Sequence, residues 1–193
     1  MTDETGETAT TDTAARDALL RQIKDKAVVH GKVTLSSGLE ADYYVDLRRV
    51  TLDGEAAPLV GQVLLDLTEG LEFDAVGGLT MGADPVATSM LHAAAARGRR
   101  LDAFVVRKTA KAHGLQRRVE GPEISGRRVL VVEDTSTTGG SPLAAVEAVR
   151  EAGAEVVAVA TIVDRATGAD EKIREGAGVP YLFAFSKDEL GLD

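Results

Sequence analysis

Residues 129–150 read VLVVEDTSTTGGSPLAAVEAVR. The stretch opens on an apolar run, Val129 to Val132, and continues with two acids, Glu133 and Asp134. Seven small or hydroxylated residues, Thr135 to Ser141, come next, and a helical pattern then begins near Pro142. An unbroken valine-rich run is what a strand needs when both faces of its sheet are covered. The loop offers backbone amides and hydroxyls to one point, because glycine permits positive φ and lets consecutive N–H groups turn inward. It delivers into a helix N-terminus, whose free amides and dipole favour an anion. A phosphate would be held there without a lysine. The segment has neither the Gly-Lys-Ser/Thr ending of a Walker loop nor a GxGxxG fingerprint. Two carboxylates beside an anion site would repel phosphate, so they call for another partner: the hydroxyls of a sugar, or a magnesium ion attached to the ligand. The expected ligand is a ribose phosphate, with its phosphate over the loop and its 2- and 3-hydroxyls over Glu133 and Asp134.

The flanking chain repeats the strand–helix alternation. Strands are expected at 33–38, 41–48, 74–78, 101–107, 127–133, 155–164 and 179–185. Helices are expected at 14–28 (capped by Thr13 and ended by Gly31), 57–70, 85–98 and 142–152. Central strands rich in valine between helices predict an α/β fold with a largely parallel sheet. Ligands in such sheets sit beyond the carboxyl ends of the strands, which directs attention to the loops at 77–85, 107–126, 134–141 and 164–168. Residues 1–12, with no large apolar residue after Met1, are expected to form a disordered acidic tail. Residues 13–193 are expected to form one domain, a hood over about 13–55 and a core over about 56–193.

Composition narrows the function. The chain has 193 residues and a formal net charge of −9, which argues against nucleic acid as the main partner. It has no cysteine, so neither disulfides nor cysteine zinc sites arise. His30, His92 and His113 show no metal-ligand spacing. No apolar run reaches the ~18 residues of a membrane span, and the polar N-terminus is unlike a signal peptide. A soluble cytoplasmic protein without a membrane partner is the expectation.

VLVVEDTSTTGGS resembles the phosphoribosyl pyrophosphate (PRPP) signature of the type I phosphoribosyltransferases: an apolar run, two acids, two variable residues, then Thr-x-Gly. The resemblance implies that Thr137, Thr138, Gly139, Gly140 and Ser141 cup the 5-phosphate, with Thr135 and Ser136 leading into the cup. A long loop, KTAKAHGLQRRVEGPEISG at 108–126, lacks an apolar period and has the length of a lid. Its start, RKTAKAHG, is similar to the RKxxKxHG lid of the orotate phosphoribosyltransferases. That resemblance implies that Arg107, Lys111 and His113 contact the pyrophosphate, that Lys108 reaches across from the partner of a homodimer, and that Lys111 is the residue most coupled to the chemical step. Glu133 and Asp134 would complete the catalytic set.

Three further segments agree. TLSSGLEADYYVDLR resembles the family's hood, which would bring Tyr43 and Tyr44 to the orotate ring. GGLTMGADPVA resembles its pyrophosphate loop. VDRATG resembles the strand end whose arginine pairs with the orotate carboxylate, here Arg165; Thr137 would also contact orotate. Many relatives carry lysines where this chain has Ser36 and Gly82. The resemblance implies a type I phosphoribosyltransferase fold, a mostly parallel sheet flanked by helices with a small hood and a flexible lid. It implies transfer of phosphoribosyl from PRPP to orotate in pyrimidine synthesis, with magnesium carried by PRPP and no direct protein ligand. Transfer to a purine or uracil, and non-catalytic sensing of PRPP, are the rival readings.

Overall fold

The computed structural model describes residues 6–34, 40–109 and 118–192, and the side chains of these apart from 6–12, 33–34 and 40–42. Helix α1 spans Gly6–Gln22, and a π-helical turn follows over Ile23–Ala27. Strands β1 (Val28–Thr34) and β2 (Glu40–Val45) pair antiparallel. The elements that follow are α2 (Arg48–Thr51), α3 (Ala56–Leu67), β3 (Ala75–Leu79), α4 (Ala83–Ala96), β4 (Asp102–Val106) and β5 (Val119–Glu120). The chain closes with β6 (Arg128–Ser136), α5 (Gly140–Glu151), β7 (Glu155–Asp164), α6 (Ala169–Ala177), β8 (Tyr181–Ser186) and a short 3-10 turn, Asp188–Leu190.

The main sheet has the order β5-β4-β3-β6-β7-β8. All its pairings are parallel except that of the edge strand β5, which runs antiparallel to β4. Strand β6 is central, and its valine run explains why. Leu130 and Val132 enter the core shared with α1, α3 and α4, while Val129 and Val131 enter the core shared with α5 and α6. All four are fully buried, so the period-2 alternation of a strand feeds two helical layers from one apolar run.

Several boundaries differ from the sequence expectation. Helix α1 begins at Gly6, inside the stretch expected to be a disordered tail, and Thr13 lies within it rather than at its cap. The helix expected through residue 28 gives way to strand at Val28, because Val28, Val29 and His30 pair with Val45, Tyr44 and Tyr43. Gly31 sits in that strand at φ 139°, where the register shifts between His30 and Val33. Helix α1 packs Ala15 and Leu19 into the main core, and Val45 of β2 and Val50 of α2 join the same cluster. The expected strand at 33–38 falls largely on residues outside those described. The loop at 108–126 is interrupted by β5, and Ile124 just beyond is buried; a two-residue edge strand is too short to leave a periodic signal. Helix α6 was not expected, because its only large apolar residue is Ile173, which packs with Ala169 and Ala177 at four-residue spacing.

Candidate active site

The carboxyl ends of β3, β4, β6 and β7 lie on one edge of the sheet, as their parallel pairing requires. A cavity of about 260 Å³ opens there. It is lined by the hairpin end (Tyr44, Asp46, Arg48), the turn after β3 (Thr80 to Gly82), Lys108 after β4, and Glu133, Asp134, Thr135 and Ser141 of the signature segment.

Gly82 decides the geometry of the acids. A Cβ at this position would stand 2.2 Å from Glu133 Oε1 and 2.9 Å from Asp134 Oδ1. The absent side chain therefore lets Glu133 lie against the loop backbone, and Glu133 is only 6% exposed. Its pKa is pushed up to about 8, first by burial, then by the neighbouring charge of Asp134, with Asp84 adding a smaller push. The more deeply buried carboxyl of the pair thus keeps its proton at neutral pH. Asp134 is half-buried, and its Oδ1 accepts the Thr135 N–H at 2.6 Å. Beside them the Thr80 hydroxyl donates to Asp84 Oδ2 at 2.6 Å, and Asp84 Oδ1 is buried without a partner among the described residues.

The loop after the acids is shorter than expected. Strand β6 continues through Ser136, which pairs in register with Asp164 of β7. Ser136 is 1% exposed, so its side chain lies beneath the loop rather than in the cup. Thr137, Thr138, Gly140 and Ser141 are exposed. Gly139 takes φ 73° at the N-cap of α5, a left-handed conformation that turns the chain into the helix and leaves its first amides facing outward. The loop after β7 is tied to this turn: the Arg165 N–H donates to Ser136 O at 3.1 Å, and the Thr167 hydroxyl donates to Thr137 O.

The guanidinium of Arg165 stands 6.0 Å from the centre of the Tyr43 ring, so two residues far apart in sequence are brought together. Tyr44, on the other face of the hairpin strand, is 36% exposed and lines the acid cavity. Lys108 is exposed and lines the same cavity. Arg107 turns to the edge of the sheet, 3.6 Å from Glu120. Lys111, His113 and Ser36 lie outside the described residues.

Sequence reasoning missed Arg48, Asp46, Thr80 and Asp84. A charged triplet directly after an aromatic pair, YYVDLRR, was the available signal for the first two. Thr80 and Asp84 carried none, because nothing in GGLTMGADP shows that its polar side chains meet the acids of β6.

Comparison with known proteins gives the family. Residues 52–177 match the family described as phosphoribosyl transferase domain. Orotate phosphoribosyltransferase of Streptomyces coelicolor is 90% identical over 181 residues, which cover 94% of this chain and 100% of the relative. The crystal structure of Mycobacterium tuberculosis orotate phosphoribosyltransferase in complex with Fe(III) dicitrate superposes with a TM-score of 0.84 at 58% identity, covering 92% of this chain and 99% of that one. The same enzyme in complex with PRPP gives 0.81 at 52% identity, with 92% and 99% covered. The two-faced strand, the acid pair, the hydroxyl loop and these near full-length identities lead to one conclusion: the chain belongs to the orotate phosphoribosyltransferases of the phosphoribosyl transferase family.

Proposed function

We infer that the cavity joins orotate to PRPP, giving orotidine 5-phosphate and pyrophosphate, the step that commits orotate to pyrimidine nucleotide synthesis. The observation that carries this reading is the placement of an anion-binding turn, an acid pair and the Arg165–Tyr43 pair at the ends of adjacent strands. Amides of Thr137 to Ser141 and the start of α5 bind the 5-phosphate. Asp134 accepts from the ribose hydroxyls, with Glu133 beside it. Arg165 offers a planar fork to the orotate carboxylate, a geometry that suits bidentate pairing, and Tyr43 flanks the ring, while Tyr44, expected beside it, faces the acid cavity instead.

Orotate N1 attacks the anomeric carbon while its bond to the pyrophosphate oxygen breaks. Positive charge grows on the ribose and negative charge on the leaving group. The half-buried Asp134 carboxylate helps spread the first. Lys108, with Lys111 and His113 of the lid, meets the second; Arg107, which pairs with Glu120 at the sheet edge, would have to leave that carboxylate to join them. Orotate N1 ionises readily, so no dedicated base is assigned. Asp134 and the Thr135 hydroxyl are hard oxygen donors at the cavity wall, and they suit a magnesium ion carried on PRPP. When bound, that ion neutralises charge on the departing pyrophosphate.

The reading includes a homodimer acting in the cytoplasm. An apolar groove of about 900 Å³ lies between α2, α3 and α4, and includes Leu52, Pro58, Met81 and Pro85. Leu52 is 72% and Met81 64% exposed, and Met81 also lines the acid cavity. Lys108 lines the cavity of its own chain, which departs from the expectation that it serves the neighbouring site; a second copy seated in the groove would bring the rest of its lid to this one.

An absorbance assay of orotate consumption with PRPP and magnesium, run beside hypoxanthine, guanine and uracil, tests the substrate. Orotate-specific turnover is expected. Turnover with another base in its place would sink the orotate assignment.

A further inference from the structure

Gly82 carries no side-chain cation, and a Cβ there would stand 2.2 Å from Glu133 Oε1, so any side chain at this turn requires that carboxyl to shift. The charged side chains that line the cavity among the described residues are Asp46, Arg48, Lys108, Glu133 and Asp134. Of the two cations, Lys108 follows β4 directly at the start of the lid, while Arg48 stands on α2 of the rigid hairpin side. Arg48 is held in place. Its Nε donates to Asp46 Oδ1 at 2.8 Å, its backbone N–H donates to the same oxygen at 3.2 Å, and its Nη2 donates to the Tyr44 hydroxyl at 3.3 Å. Among the described residues Nη1 makes no hydrogen bond. The side chain is 43% exposed, so water or a ligand reaches it. Asp134 lies within its electrostatic reach, after the larger influences of Asp46 and Tyr44.

We propose that Arg48 binds the diphosphate end of the sugar donor, supplying from the hairpin side a positive charge that the turn at Gly82 does not carry. The proposal rests on the PRPP reading of the cavity. Among the described residues that line the cavity the cations are Arg48 and Lys108, so loss of Arg48 removes one of the two positive charges that a polyanion meets there. The Asp46 contact fixes the Nε edge and leaves an Nη edge to donate, so the fork is oriented before the ligand arrives. Asp46 is thereby a positioning residue.

The test uses the full-length protein with Arg48→Ala, Arg48→Lys, Asp46→Asn and the double variant. Binding of inorganic pyrophosphate with magnesium is measured by calorimetry, and KM for PRPP and for orotate by steady-state kinetics. A charge-assisted contact of this kind predicts a loss of about 10- to 100-fold in pyrophosphate affinity for Arg48→Ala. KM for PRPP should rise more than KM for orotate, and Arg48→Lys should recover part of the loss. Asp46→Asn should weaken binding less, and add little once Arg48 is gone. Unchanged pyrophosphate affinity in a normally folded Arg48→Ala, or equal rises in both KM values, would overturn the proposal. Failure of the wild-type protein to consume orotate would instead sink the substrate reading, and pyrophosphate binding would still report on Arg48.

Discussion

At the scale of single residues, the site is governed by one missing side chain and one buried acid. Gly82 lets Glu133 retreat from water, and burial with Asp134 alongside raises its pKa to about 8. An exposed glutamate in the unfolded chain titrates near 4.5, so between these values the folded protein holds a proton that the unfolded chain has lost. Folding stability contributed by this group is therefore complete below about 4.5 and falls as pH rises toward 8. Glu133→Gln, which keeps the shape and removes the titration, is expected to flatten that slope, and its melting temperature should exceed the wild type most clearly near pH 8. Melting curves across that range check it. Little of this was legible in the sequence: the acid pair was plain in VLVVED, but its contact with a glycine some fifty residues earlier depends on two adjacent strand ends. Arg48 escaped for the same reason, since only the folded hairpin carries it to the acids.

At the scale of elements, β6 and the turn into α5 carry the argument. The strand was readable because four consecutive buried residues, Val129 to Val132, can serve two helical layers only from a sheet centre. The glycine-rich turn into a helix was readable, but its boundary was not, because Ser136 continues the β6–β7 ladder before the chain leaves the sheet. Helix α6 was invisible to apolar periodicity because alanines form most of its buried face. Yet it constrains the cup: a Cβ on Gly139 would lie 3.0 Å from Ile173 Cγ1 of α6, on a backbone at φ 73°. Gly139→Ala is expected to destabilise the protein by about 1–2 kcal/mol through the left-handed conformation alone, read from the denaturation midpoint. It should also weaken binding of the 5-phosphate, because relief of the contact rotates the amides at the start of α5.

At the scale of the whole molecule, the proposed reading puts the phosphate cup and the base pocket at the strand ends and charge for the leaving group on the hairpin side. The layered sheet was legible from composition and alternation. The packing of α1 against the core was less so, because GETATTDT, its N-terminal half, is polar in sequence. Leu52 and Met81 leave an apolar groove beside the cavity, and a homodimer would cover it. Leu52→Asp is expected to shift the protein toward monomer in sedimentation velocity and to lower activity with it, because in the proposed dimer the lid of one copy would serve the other.

The most direct measurement is kcat/KM for orotate in Arg165→Ala, taken together with KM for PRPP. Arg165 stands against Tyr43, apart from the acid cavity, so loss of a charged fork on the orotate carboxylate should lower kcat/KM for orotate by about 10- to 100-fold. KM for PRPP should change far less. A fall confined to PRPP, or no change for orotate, would contradict the division of the site into a base pocket at the end of β7 and a ribose-phosphate cup at the end of β6.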